Sequence, residues 1–129
     1  WEARGNRVIG LQVDFDAATR GLEGYAAFLA ALRRRLPPRW RLSITGLLDW
    51  SANGTVALGS LAGTVDEMVV QTYQGRSTIP GYADYLRRME RVPVPWKVGL
   101  VERGEWQEPP GLTRHPLFRG YVVFLVNPA

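Results

Sequence analysis

The chain predicts an α/β fold, a partial (β/α)8 TIM-barrel-like domain of about five parallel strands joined by crossover helices. Three observations predict it. Short apolar runs alternate with stretches of helical periodicity. Polar and acidic residues follow directly on the apolar runs, at the strand ends where βα folds build their sites. Only 129 residues are present, against about 250 for a closed eight-stranded barrel, so part of a barrel or an open sheet with two raw edges is expected.

The first strand is expected over Val8 to Phe15, whose Val, Ile and Leu content reads as a strand buried on both faces. A helix follows in which Tyr25, Phe28, Leu29, Leu32 and Leu36 form one apolar stripe before Pro37 and Pro38 stop it. Arg41 to Leu48 makes the second strand and runs into Asp49, Trp50 and an Asn53-Gly54 turn, with a short helix around Val56 to Leu61. Met68 to Tyr73 is the third strand. Pro80 then opens a helix whose Tyr82, Tyr85, Leu86 and Met89 share a face. Trp96 to Val101 and Tyr121 to Val126 complete the set, and the stretch between them is too rich in Pro and Gly for a helix.

Composition narrows the chemistry. Hydrophobic residues at 46% and charged residues at 22% fit one folded domain over the whole chain. With no cysteine and a single His115, thiol catalysis and thiolate or multi-histidine metal sites are excluded, and neither zinc chemistry, a cofactor nor another metal is expected. No apolar run reaches the ~18 residues that span a bilayer, and the N-terminal stretch lacks the apolar core of a signal peptide, so no membrane partner is expected. The chain begins at Trp1 without a Met, which suggests a processed or excised piece. The surplus of +4 charges is small, and the runs Arg33 to Arg35 and Arg87-Arg88 read as solvated helix ends that complement the helix dipole, so no nucleic-acid partner is expected. Gly75-Arg76 is a weak anion signal beside a true phosphate loop, and His115 has no triad-like neighbours.

The candidate site lies at the strand ends. Gln12, Asp14 and Asp16 have one parity, so their side chains point to one face of the first strand. Two carboxylates on such a face raise one another's pKa, which suits a general acid. The alternative is that both acids cap loop amides or pair with an arginine. Gln71 and Tyr73 likewise share a face, with Gln74 beyond; a phenol there can hydrogen-bond a sugar, or serve as a core tyrosine with its hydroxyl at the rim. Asp49 and Trp50 after the second strand, and Glu102 and Trp106 after the fourth, add acids and aromatic rings to the same rim, or plain packing.

Four blocks, Gly-Leu-Gln-Val-Asp-Phe-Asp-Ala (10–17), Leu-Ser-Ile-Thr-Gly-Leu-Leu-Asp-Trp (42–50), Val-Val-Gln-Thr-Tyr-Gln-Gly-Arg (69–76) and Gly-Tyr-Val-Val-Phe-Leu-Val-Asn-Pro (120–128), together resemble a bacterial family of unknown function, numbered 3142. More distantly the chain resembles family 18 glycosidases, which carry Asp-Gly-x-Asp-x-Asp-x-Glu on the fourth barrel strand and Met-x-Tyr-Asp on the sixth. That resemblance implies cleavage of chitin-like polymers assisted by the substrate's acetamide. It sets Asp14 on an Asp, Gln12 in place of another, and Asp16 where the proton-donating Glu stands. It sets Tyr73 on the Tyr, Gln71 in place of Met and Gln74 in place of Asp. Asp for Glu shortens the acid by about 1.5 Å, an error of position worth around 100-fold in rate. The five strands would then be the fourth to eighth, with an upstream barrel half or self-association completing the sheet.

Three functional readings follow. In a glycosidase or its descendant, Asp16 is the acid, Asp14 tunes it, and Tyr73 orients the sugar with Gln71. A noncatalytic carbohydrate-binding module uses the same cleft and survives Asp16→Asn. A protein-interaction domain needs no pocket at the strand ends, and its rim aromatics meet a protein partner.

Overall fold

A computed structural model describes residues 2–15, 21–50 and 58–126. Five strands, β1 (Gly10–Val13), β2 (Arg41–Leu47), β3 (Glu67–Gln71), β6 (Trp96–Val101) and β7 (Phe118–Phe124), form one sheet in the order β1-β2-β3-β6-β7. Every pairing is parallel, and the sheet is open, with β1 and β7 at its edges. A separate antiparallel hairpin, β4 (Tyr73–Gln74) with β5 (Ser77–Thr78), turns at Gly75 in the left-handed region. Helix α1 spans Leu22–Arg35 and α2 Tyr82–Arg87, which tightens into a 3-10 turn at Arg88–Arg91.

The register sorts the side chains. Leu11 pairs Leu42, Val13 pairs Ile44, Ile44 pairs Met68, and Met68 pairs Trp96, so one face of the sheet is apolar throughout. Leu22, Tyr25, Ala26 and Leu29 of α1, with Leu86 of α2 and Met89 beyond it, close over that face as the core. Gly46 makes the closest approach: a Cβ there would stand 2.6 Å from Met68 Sδ and 3.1 Å from Trp50. Only a glycine lets that indole lie against β2. The opposite face carries Gln12, Ser43 and Glu67 in one row and Thr45, Val69 and Lys97 in the next. No described helix covers it. Gln12 donates to Ser43 Oγ at 2.9 Å, Thr45 to Asp14 Oδ1 at 2.9 Å, and Lys97 pairs Glu67 at 3.1 Å.

Several expectations need correction. The first strand is a short edge strand, not one buried on both faces: Leu11 is 40% exposed and Gln12 lies open, because no described strand pairs with β1 on its outer side. The third strand ends at Gln71, since Thr72 leaves the sheet and Tyr73 joins the hairpin. The last strand starts earlier, at Phe118, and a register shift opposite Trp96–Val98 coincides with Gly120 at φ 107°. The connection before it includes a 3-10 turn, Leu112–Arg114, that packs Leu112 into the core. Phe28, assigned to the buried stripe of α1, is 53% exposed. The Asn53-Gly54 turn and residues 56 and 57 of the short helix lie outside the described residues, while Leu58 and Gly59 are helical and Leu58 and Leu61 join the core.

Candidate functional site

Because all five strands run one way, their C-terminal ends share one rim, and there a cavity of about 630 Å³ opens. Asp14 enters it from the end of β1, Leu47, Leu48 and Asp49 from the end of β2, and Gln71 from the end of β3. The β4–β5 hairpin supplies Tyr73, Gln74 and Gly75, while Ile79 and Tyr85 close the side. Five of the residues read from the sequence, Asp14, Asp49, Gln71, Tyr73 and Gln74, therefore meet in one space. A volume of this size is in the range that holds a small organic ligand.

Each polar group there is held by its backbone. Ile44 pairs Val13, so the next residue, Thr45, lies beside Asp14, and its hydroxyl donates to the exposed carboxylate while the threonine itself is only 1% exposed. Tyr73 is steadied by Phe124 of β7, ring centroids 5.6 Å apart. Thr72, also 1% exposed, donates to Gly99 O at 2.9 Å and ties the start of the hairpin to β6. Asp14 stands on an open edge strand, in place of the buried interior expected for it.

The remaining candidates are elsewhere. Asp16 lies outside the described residues. Gln12 is one pleat below the rim, bound to Ser43. Trp50, expected at the rim, is 1% exposed and belongs to the core, beside Tyr25 at 6.2 Å; the turn after Leu47 carries the ring down onto Gly46. Trp106 is half-buried in a different aromatic group, stacked on Tyr82 at 5.1 Å and edge-on to Tyr121 at 5.6 Å. Among the described residues no cluster of His, Asp and Glu could hold a metal ion.

Sequence reasoning missed Thr45 and Tyr85. Thr45 was legible, because Ser43 and Thr45 have the parity of Gln12 and Asp14 in the neighbouring strand. Tyr25 was read as plain core. Its ring packs against Phe15 at 5.4 Å, and its buried hydroxyl has no hydrogen-bond partner among the described residues. Burial, helped by the charge of Asp14, pushes that phenol up to about 12. Tyr121, whose hydroxyl donates to Glu108, is likewise pushed up to about 12, by burial first and then by that carboxylate.

A family described as a domain of unknown function (DUF3142) matches residues 1–92. The chain belongs to this family. The match takes in β1 to α2, and with them the whole cavity lining. No curated protein and no solved structure matches the chain.

Proposed function

We propose that the rim cavity binds a polysaccharide chain and that the domain is glycoside-hydrolase-like, with Asp14 and Asp16 as its paired carboxylates and Tyr73 and Gln71 orienting the sugar. One observation carries this reading: the cavity gathers two acids, two amides and the phenols of Tyr73 and Tyr85 beside apolar walls. Such a lining can hydrogen-bond several hydroxyls of a sugar while Ile79 and Tyr85 cover its apolar face.

The sheet is read as part of a (β/α) barrel. Strand order follows chain order, the described helices pack on one face, and the polar face would be the barrel interior. Both edges leave apolar side chains uncovered on the helix-bearing face: Phe15 at one, Val123 and Leu125 at the other, 55–80% exposed. Further βα units at those edges would cover them.

The test is titration with chitin, cellulose and peptidoglycan oligosaccharides by tryptophan fluorescence, with a reducing-end release assay, on the wild type, Asp14→Asn and Asp16→Asn. Release lost in either variant is expected of the hydrolase. Binding without release selects a noncatalytic module. Neither binding nor release refutes the carbohydrate assignment.

A further inference from the structure

The small net charge of +4 conceals a separation that only the topology reveals. Parallel strands put all their N-terminal ends on the rim opposite the cavity, and the end of α1 returns there to meet β2. On that rim Arg34 and Arg35 close α1, Arg39 lies in the connection to β2, and Arg41 is the first residue of β2. Arg7 precedes β1, whose Ile9 carbonyl accepts a bond from the Arg41 amide at 2.9 Å. All five are exposed and have no ion-pair partner among the described residues. Arg91 and Arg114, in the 3-10 turns that precede β6 and β7, extend the row in the same state. Helix-dipole complementation accounts for Arg34 and Arg35. It does not account for arginines on connections and strand starts.

The acids near them do not offset this. Asp66 is taken by Arg33 at 3.5 Å and by the Leu42 amide, and Glu67 by Lys97. Acids instead follow the strands at the cavity rim, as Asp14, Asp49 and Glu102.

We infer that the arginine rim docks the domain on an anionic phospholipid surface. Guanidinium groups match phosphate in a planar, two-bond geometry, and a row of them attracts a negatively charged leaflet. Two features favour lipid over nucleic acid. Ile9, 64% exposed, and the exposed Pro38 stand among the arginines as apolar contacts for an interface. Among the described residues the exposed aromatic rings, Phe15, Phe28 and Tyr121, are away from this rim, and Trp40, between Arg39 and Arg41, is half-buried with its indole Nε1 turned inward, so it is a poor stacking platform for bases. Docked this way, the domain turns its cavity outward from the membrane. The proposal is independent of what the cavity binds.

The experiment is sedimentation of the whole chain with phosphatidylcholine vesicles and with vesicles containing 30 mol% phosphatidylglycerol, a proportion of about one anionic lipid in three chosen to give a clear surface charge. Wild type is expected to bind only the anionic vesicles and to be released as salt rises past about 0.5 M. The triple variant Arg34→Gln/Arg35→Gln/Arg39→Gln should lose about 100-fold in partitioning, at about fivefold for each arginine. Arg103→Gln, at the cavity rim, should bind as wild type, and circular dichroism checks that each variant is folded. Equal binding to neutral vesicles, or a triple variant that binds like wild type, overturns the inference. So does tighter binding to duplex DNA than to vesicles at equal phosphate and salt.

Discussion

Asp66 gives the sharpest test of how the sheet is held. It precedes β3, and two bonds clamp it to the start of β2: its amide donates to Leu42 O at 2.7 Å, and its Oδ2 accepts from the Leu42 amide at 2.7 Å. Leu42 is wholly buried, so Asp66→Ala strands a backbone N–H, at a cost of about 1–3 kcal/mol. The same oxygen faces Arg33 at 3.5 Å, with the two side chains 21% and 40% exposed, and that partly solvated pair adds about 0.2–1 kcal/mol. The sum is about 1–4 kcal/mol, centred on ~2.5 kcal/mol. With urea slopes of about 1–3 kcal/mol/M, the midpoint falls by roughly 1–2 M. Asp66→Asn keeps an acceptor and loses only charge, so it should cost about 0.5–1 kcal/mol. Equilibrium urea unfolding followed by tryptophan fluorescence separates the three proteins. If Asp66→Ala lies within about 0.5 kcal/mol of wild type, or Asn costs as much as Ala, the clamp does not hold β2 and β3 together as described.

The other expectations concern the site. Thr45→Val removes the donor that orients Asp14; oligosaccharide affinity should fall about fivefold while stability moves by less than about 1 kcal/mol, because a methyl replaces the buried hydroxyl and the exposed carboxylate turns to water. Unchanged affinity would remove Thr45 from the site. Tyr25→Phe deletes a buried hydroxyl that lacks a partner among the described residues, so unfolding measurements should find the variant more stable by about 1 kcal/mol, and destabilisation would mean that the hydroxyl is bonded. The same residue carries a pH signature. Its phenol is raised from 10.0 to about 12 in the folded state, so the fold holds this proton more tightly than the unfolded chain does. That stability is present in full below pH 10 and is lost as the pH climbs through 12. Unfolding curves between those limits should slope less in Tyr25→Phe than in wild type.

What the sequence determined by itself follows from local periodicity. The apolar runs, the stripe of α1, the Pro37-Pro38 stop and the parity of Gln12 with Asp14 depend only on neighbours along the chain. From these, the strands and the α/β class were legible, as were the acids at the strand ends. Tertiary structure decided what depends on neighbours across the chain. Trp50 reads like a rim aromatic, yet the gap above Gly46 draws its ring into the core, where burial of so large a side chain is favoured. Asp14 reads as buried with its strand, but no described strand pairs with the outer side of β1 and its carboxylate meets water. The arginines look like scattered helix ends in the sequence and become one rim only when five parallel strands line up their starting points. Charge and burial are properties of position in space, and pairing across the sheet fixes those positions for residues that the sequence keeps far apart.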